Sequence, residues 1–461
     1  MASDAPQQPL VLVIFGITGD LSQRKLLPAL YQLAKSGDLS PATHIIGISR
    51  RAVERATVYE QLPQFVGSDE YEQASVDWLL DRTEMRQLNV GVQADYEALL
   101  QRIRAVEGEL GHGASRLYYL SVPPQAMGAI VHHLGKAGHN QPLKGGDRPR
   151  LLVEKPFGYD YASAQELIKA TSEHFHEDQI YRIDHYLAKE TVQNMLTFRF
   201  QNPLFQSVWN GKHIDHISVT AHEKIGIEGR AVFYEQTGAL RDLVQSHLLQ
   251  LLAVATMDKP IELTSQAIHA QKLALLRDIR PVAAGDVLTH TVRGQYHGYR
   301  EEVDNAMSNV ETFVRLQLEI DNDMWRGVPI IVETGKALAE KLTEVEVCFR
   351  QADSTADTRN KLRFRIQPTE GITLQLQAKQ PGIANQTQVV DMDFDYARSF
   401  THRPAEAYER VIVDAIRGDQ TLFASSDEVL ASWRILENVL AAWSHSGDGL
   451  VLYDQGSTGP A

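Results

Sequence analysis

Cysteine is nearly absent from the chain: the single thiol, Cys348, excludes an internal disulfide framework and suits a reducing cytoplasm. Long apolar runs are missing too. None reaches the roughly 18–20 residues that a membrane-spanning helix requires, so no membrane partner is expected. Met1 to Pro9 has neither a basic region nor an apolar stretch, which argues against a signal peptide. Positive charge is in deficit, with 45 Lys and Arg against 59 Asp and Glu, a formal net charge of −14. That balance argues against general nucleic-acid binding. The 17 histidines show no HxxxH or HExxH spacing and Cys348 has no cysteine partner, so no metal is expected. Internal repeats and low-complexity tracts are also lacking.

What is present fits a soluble globular protein: 461 residues, 43% hydrophobic and 23% charged, long enough for two large domains. Leu10 to Phe15 is a short apolar run rich in β-branched residues, which predicts a buried parallel strand. A Gly16–Asp20 turn follows, then a helical face with Leu27, Leu30, Tyr31 and Ala34 that Gly37 ends, then a strand over His44–Ser49. Arg116–Val122 and Arg150–Val153 are further strands, each running into a proline-containing turn. The pattern predicts an α/β, Rossmann-like, doubly wound parallel sheet over residues 1–184. Residues 185–461 read as a larger α+β domain for substrate binding and oligomerisation, with a mixed, mostly antiparallel sheet backed by helices. Its predicted strands are Ile217–Ala221, Glu311–Ile320, Val345–Phe349, Lys361–Ile366 and Ile372–Ala378, and its helices carry Tyr408–Ala415 and Trp433–Trp443. From Asp454 onward the tail reads as frayed.

Gly16-x-x-Gly19 departs from GxGxxG spacing, and a plain turn is the alternative; its place between a buried strand and a helix points to pyrophosphate. Ser49-Arg50-Arg51 ends the second strand, where an arginine favours a 2′-phosphate and hence NADP, with NAD as an alternative. A helix starting near Asp184 would put His185 and Lys189 on one face and form a phosphate site, unless Asp184 is a simple N-cap. His247 sits among Leu243, Val244, Leu248 and Leu251 at helical spacing, which taken alone describes a core histidine.

Five ordered motifs change that reading: Gly16-Ile-Thr-Gly19-Asp20-Leu-Ser-Gln-Arg24-Lys25-Leu-Leu-Pro28, Glu154-Lys155-Pro156-Phe157-Gly158, Arg182-Ile183-Asp184-His185-Tyr186-Leu187-x-Lys189-Glu190, His247-Leu-Leu-Gln250 and Gly335-Lys336-Ala337-Leu338. Together they resemble the glucose-6-phosphate dehydrogenase family from about Leu10 to the last residues. The resemblance implies oxidation of glucose 6-phosphate at C1, with His247 as general base and Asp184 holding its ring. It implies phosphate binding by His185, Tyr186 and Lys189, and sugar contacts from Lys155, Glu223, Asp242, Lys336 and Lys341. Cofactor contacts fall on Gly16, Thr18, Gly19, Asp20, Leu21, Arg50, Pro123, Glu154 and Lys155. A homodimer or homotetramer is implied as well. A dehydrogenase for another aldose or aldose 6-phosphate, or a catalytically silent NADP-sensing paralogue, are the competing readings.

The chain departs from the family at several points. Ala188 replaces a usual glycine, Ser246 replaces an asparagine, and Ala231-Val232-Phe233-Tyr234-Glu235 replaces a run richer in glycine. The loop between Tyr296 and Asn309 is shorter than in many relatives, and the chain ends at Ala461, earlier than bacterial relatives usually do. These changes bear on substrate range and oligomer contacts, and make a second, structural NADP site improbable.

Overall fold

Runs of apolar residues bounded by glycine or proline form the inner strands of two sheets, one in each of two compact units. The computed structural model describes residues 8–67, 70–111, 113–142, 147–351, 359–400, 403–445 and 447–460. Most of the stretch read for a leader, Met1–Gln7, and the final Ala461 lie outside the described residues.

The first unit comprises Met1–Gly158, Ala162–Ala188 and Ala405–Ser426. Its strands are β1 (Leu10–Phe15), β2 (Thr43–Ser49), β3 (Thr83–Gln87), β4 (Ser115–Leu120), β5 (Arg150–Val153) and β6 (Ile180–Ile183). They lie in the order β3-β2-β1-β4-β5-β6, all parallel. This is the doubly wound dinucleotide-binding order, which reverses between β1 and β4. Every residue of β1 is buried, as a strand covered on both faces requires. Gly37 closes the helix Leu27–Ser36 in a left-handed conformation at φ 77°, as its position predicted. Ala405–Ser426 returns late in the chain to this unit: Phe423–Ala424 pairs antiparallel with β6, and the helix Ala407–Arg417 packs against the helix Leu27–Ser36.

The second unit comprises Tyr159–Tyr161, Lys189–Pro404 and Asp427–Ala461. Its main strands are β7 (Ile214–His222), β8 (Thr291–Tyr296), β9 (Phe313–Ile320), β10 (Ile330–Gly335), β11 (Leu342–Phe349), β12 (Lys361–Gln367), β13 (Gly371–Lys379), β14 (Thr387–Asp395) and β15 (Leu450–Tyr453). The order is β14-β13-β12-β11-β7-β10-β9-β8-β15, and only the pairs β7–β10 and β8–β15 are parallel among the neighbours on this path. Alternation is clean in β9 and β12, where Leu316, Leu318, Leu362, Phe364 and Ile366 are buried between more exposed neighbours.

The tail is not frayed. Gly456 N donates to Ala337 O at 2.7 Å, Ala339 N donates to Ser457 O at 2.8 Å, and Pro460 is buried. Backbone pairing with the loop after β10 holds it, a contact that local sequence does not encode. No helix among the described residues is long and apolar enough to cross a membrane.

Candidate active site

In the first unit the candidate residues follow the carboxyl ends of parallel strands, where open α/β sheets bind ligands. Gly16, after β1, has φ 77°, and a Cβ there would lie 2.1 Å from Ser121 O. Only glycine fits. Ser22 Oγ ties the loop down, donating to Gly16 O at 3.0 Å and bonding Ser121 Oγ at 2.9 Å. Thr18 is exposed in the turn, Asp20 is exposed where the helix behind it begins and Leu21 follows it, and Asp20 pairs with Arg24 at 2.7 Å. Arg50 follows β2 with its side chain exposed, and Pro123 follows β4 as the residue before the helix Pro124–Lys136.

Glu154 and Lys155 follow β5. Tyr119 Oη donates to Glu154 Oε1 at 2.5 Å, and Tyr408 adds a second hydroxyl contact. Burial pushes the Glu154 carboxyl up to about 7, against the opposing pull of Tyr119, Lys155 and Tyr408. Burial and the Glu154 charge likewise raise the two tyrosines, keeping both as donors. Tyr119 and Tyr408 were not singled out in the sequence as site residues. Tyr408 comes from the late-returning segment, so no local motif could place it beside Glu154.

Asp184 follows β6 and is buried, and its Oδ1 accepts from Tyr186 N at 3.0 Å. That carboxylate closes a tight turn over 185–188, so the helix expected to start near Asp184 begins only at Glu190. His185 and Lys189 therefore do not share a helix face. His185 lies in the turn, its ring 4.9 Å from Tyr186 and 6.4 Å from Tyr408, while Lys189 is the residue that precedes the helix Glu190–Gln201.

In the second unit, the parallel pair β7–β10 sets His222 opposite Gly335, so Glu223 and Lys336 leave adjacent strand ends side by side. Lys336 is buried and forms an ion pair with Glu223; its Nζ also lies 5.3 Å from the centre of the Tyr234 ring. Tyr234 is fully buried, and its hydroxyl is raised by burial first, then by the charges of Asp242, Glu311 and Glu223. This tyrosine, quoted in the sequence only as a family departure, thus has Lys336 at its ring and the Asp242 charge nearby. Lys341 is exposed just before β11. Lys189 lies 3.6 Å from Glu370, whose other oxygen accepts from Thr191 N at 2.9 Å.

Asp242 and His247 lie on Leu240–Leu248, which is π-helical and continues into the α-helix Leu249–Thr256. The segment packs on β7 and β10, and His247 is 1% exposed. The apolar spacing around His247 suggested a regular helix; the wider turn redistributes those neighbours, and such turns recur at functional sites.

Two family models, curated relatives and a solved structure match this chain over nearly all of its length. Residues 13–194 match the family model described as glucose-6-phosphate dehydrogenase, NAD binding domain, and residues 196–461 match that of the C-terminal domain. Glucose-6-phosphate 1-dehydrogenase of Rhizobium meliloti is 38% identical over 478 aligned positions, covering 99% of this chain and 95% of that one. The Chlamydia muridarum enzyme of the same name is 41% identical over 465 positions, covering 95% and 90%. A solved glucose-6-phosphate dehydrogenase in complex with its substrate superposes with a TM-score of 0.91 at 33% identity, covering 98% and 96% of the two chains. The chain belongs to the glucose-6-phosphate dehydrogenase family.

Proposed function

We propose that the chain oxidises glucose 6-phosphate at C1 to 6-phosphoglucono-1,5-lactone, with NADP as hydride acceptor and NAD as the alternative. Family membership over the full chain supports the reaction class. The observation that carries the site is the buried His247 on a π-helical segment packed against β7 and β10, the two strands that lead into Glu223 and Lys336. The glycine-only approach at Gly16, at the sheet's switch point, fits a pyrophosphate.

A bound nicotinamide supplies the hydride acceptor. His247 removes the proton of the C1 hydroxyl, and Asp184 supports the imidazolium so formed. His185, Tyr186 and Lys189 bind the phosphate. Lys155, Lys336, Lys341, Glu223 and Asp242 hold the sugar. Gly16, Thr18, Gly19, Asp20, Leu21, Pro123 and Glu154 contact the cofactor, and Arg50 selects its 2′-phosphate. A cytoplasmic homo-oligomer completes the reading.

His247→Asn is the test. With NADP saturating, kcat should fall by roughly 10²–10⁴, the usual worth of a general base, with KM for glucose 6-phosphate little changed. An unaltered kcat would refute the assignment.

A further inference from the structure

At the far end of β7 from Glu223, the pairing with β11 slips by one residue. Cys348 lies opposite His216, but the next residue, Phe349, lies opposite Ile214, so Asp215 is an extra residue in the strand. A bulge of this kind re-aims side chains. Here Asp215 and His216 are both half-buried, while Ile214 and Ile217 on either side are buried, so two consecutive side chains share one face. Cys348 joins them across the strand pair and is buried. One donor atom from each of the three lies within 4.8 Å of the others.

We propose that Asp215, His216 and Cys348 form a zinc site that clips β7 to β11, with Arg359 as its resident competitor. Thiolate, imidazole and carboxylate are the donor set that Zn²⁺ accepts, with a fourth tetrahedral position left to water. The donors come from strands distant in sequence, so motif spacing could not reveal them. Asp215 Oδ2 meets His216 Nδ1 at 2.9 Å and also the guanidinium of Arg359. Arg350 and Lys361 also direct positive charge at the cluster, the first toward Asp215 and the second toward Cys348. A cation thus already stands against the Asp215 carboxylate. Zn²⁺ entry converts the Cys348 thiol to thiolate and releases one proton, adding one net positive charge. Withdrawal of Arg359 removes the same charge. The strand length separates this site from Glu223 by roughly 25 Å, so the clip acts on the sheet and not on substrate.

Zinc and cobalt titrations of the full-length enzyme test this. The wild type should take up one equivalent, show a thiolate-to-cobalt charge-transfer band, and unfold at a higher temperature with zinc. Cys348→Ser and His216→Gln should each lose roughly tenfold or more in affinity and the thermal shift, whereas Arg359→Gln should bind roughly tenfold more tightly. Turnover of glucose 6-phosphate should stay unchanged in all three variants. Zinc uptake that survives both ligand substitutions, absent uptake in the wild type, or weaker binding by Arg359→Gln would each overturn the site.

Discussion

Glu428 is fully buried, and its two oxygens gather a closed network: Lys272 Nζ at 2.9 Å, Gln250 Nε2 at 3.1 Å and His269 Nδ1 at 2.6 Å. Lys272 Nζ also donates to Gln250 Oε1 at 3.1 Å, and Gln250 is one helical turn beyond His247. The helices Ser265–Asp278 and Ser426–His445 are thereby pinned to the segment that carries His247. Glu428→Gln leaves the shape but removes the charge opposite a buried lysine. The loss of one partner from such a pair costs about 3–5 kcal/mol. The protonation equilibrium points to the same size. Burial raises the Glu428 carboxyl, but Lys272 and His269 outweigh it and hold the group at about 2, against 4.5 unperturbed. At about 1.4 kcal/mol per unit that difference is worth about 3 kcal/mol. Because the folded value is depressed, this stability is present above pH 4.5 and is lost as pH falls toward about 2. Trp209, Trp325, Trp433 and Trp443, four of the five tryptophans, lie in the second unit, so fluorescence-detected urea denaturation reports on it. Glu428→Gln should lower the stability of that transition by about 3–5 kcal/mol, and Glu428→Gln with Lys272→Met should recover most of the loss. A single variant costing under about 1 kcal/mol, or a double variant no better than the single, would refute the reasoning.

Arg50→Ala should weaken NADP far more than NAD in parallel binding titrations; equal losses would sink the 2′-phosphate role. Burial raises Glu154 from 4.5 to about 7, so the native state holds the extra proton between those values and stability falls as pH rises through 7. Glu154→Gln should abolish that slope and gain up to about 3 kcal/mol at about pH 8, and stability curves parallel to the wild type would contradict it. Glu370→Gln should lower KM for glucose 6-phosphate about fivefold, the worth of ~1 kcal/mol for a partly exposed pair, whereas a raised KM would mean that Glu370 positions Lys189.

Much of the fold was legible because local pattern and burial coincide. LVLVIF can only be covered on both faces, and KLRFRI can only bury alternate residues. Strands without such a pattern were missed. Thr387–Asp395 is exposed along most of its length at the sheet edge, so no buried face marks it. Ile330–Gly335 gave no sequence signal for its parallel partner β7, because that pairing is non-local. The site shows the same division. Gly16 was legible because a backbone requirement singles out glycine, whereas Asp184 was read as a helix start and its carboxylate instead closes a turn after β6. The π-helical turn under His247 was not, since a shift from 3.6-residue spacing over nine residues leaves no periodic trace. Nor were the contacts of Tyr408 or Glu370, which depend on segments that meet only after folding.

The chain is acidic overall, yet in the second unit two lysines stand against carboxylates at short range. Lys336 is paired with Glu223, and Lys189 with Glu370. Each cation thus stands beside a carboxylate of the chain itself, which offsets the cost of withdrawing it from water. At Lys189 the arrangement goes further. Glu370 takes both the ammonium and the N–H of Thr191 at the start of a twelve-residue helix, the donors a phosphate would use. A phosphate that displaces this carboxylate exchanges one anion for another, so the donors need little rearrangement. Charges beyond a Debye length of about 8 Å contribute little to that exchange. The net charge of −14 is a sum over the whole chain and does not describe such local clusters of donors.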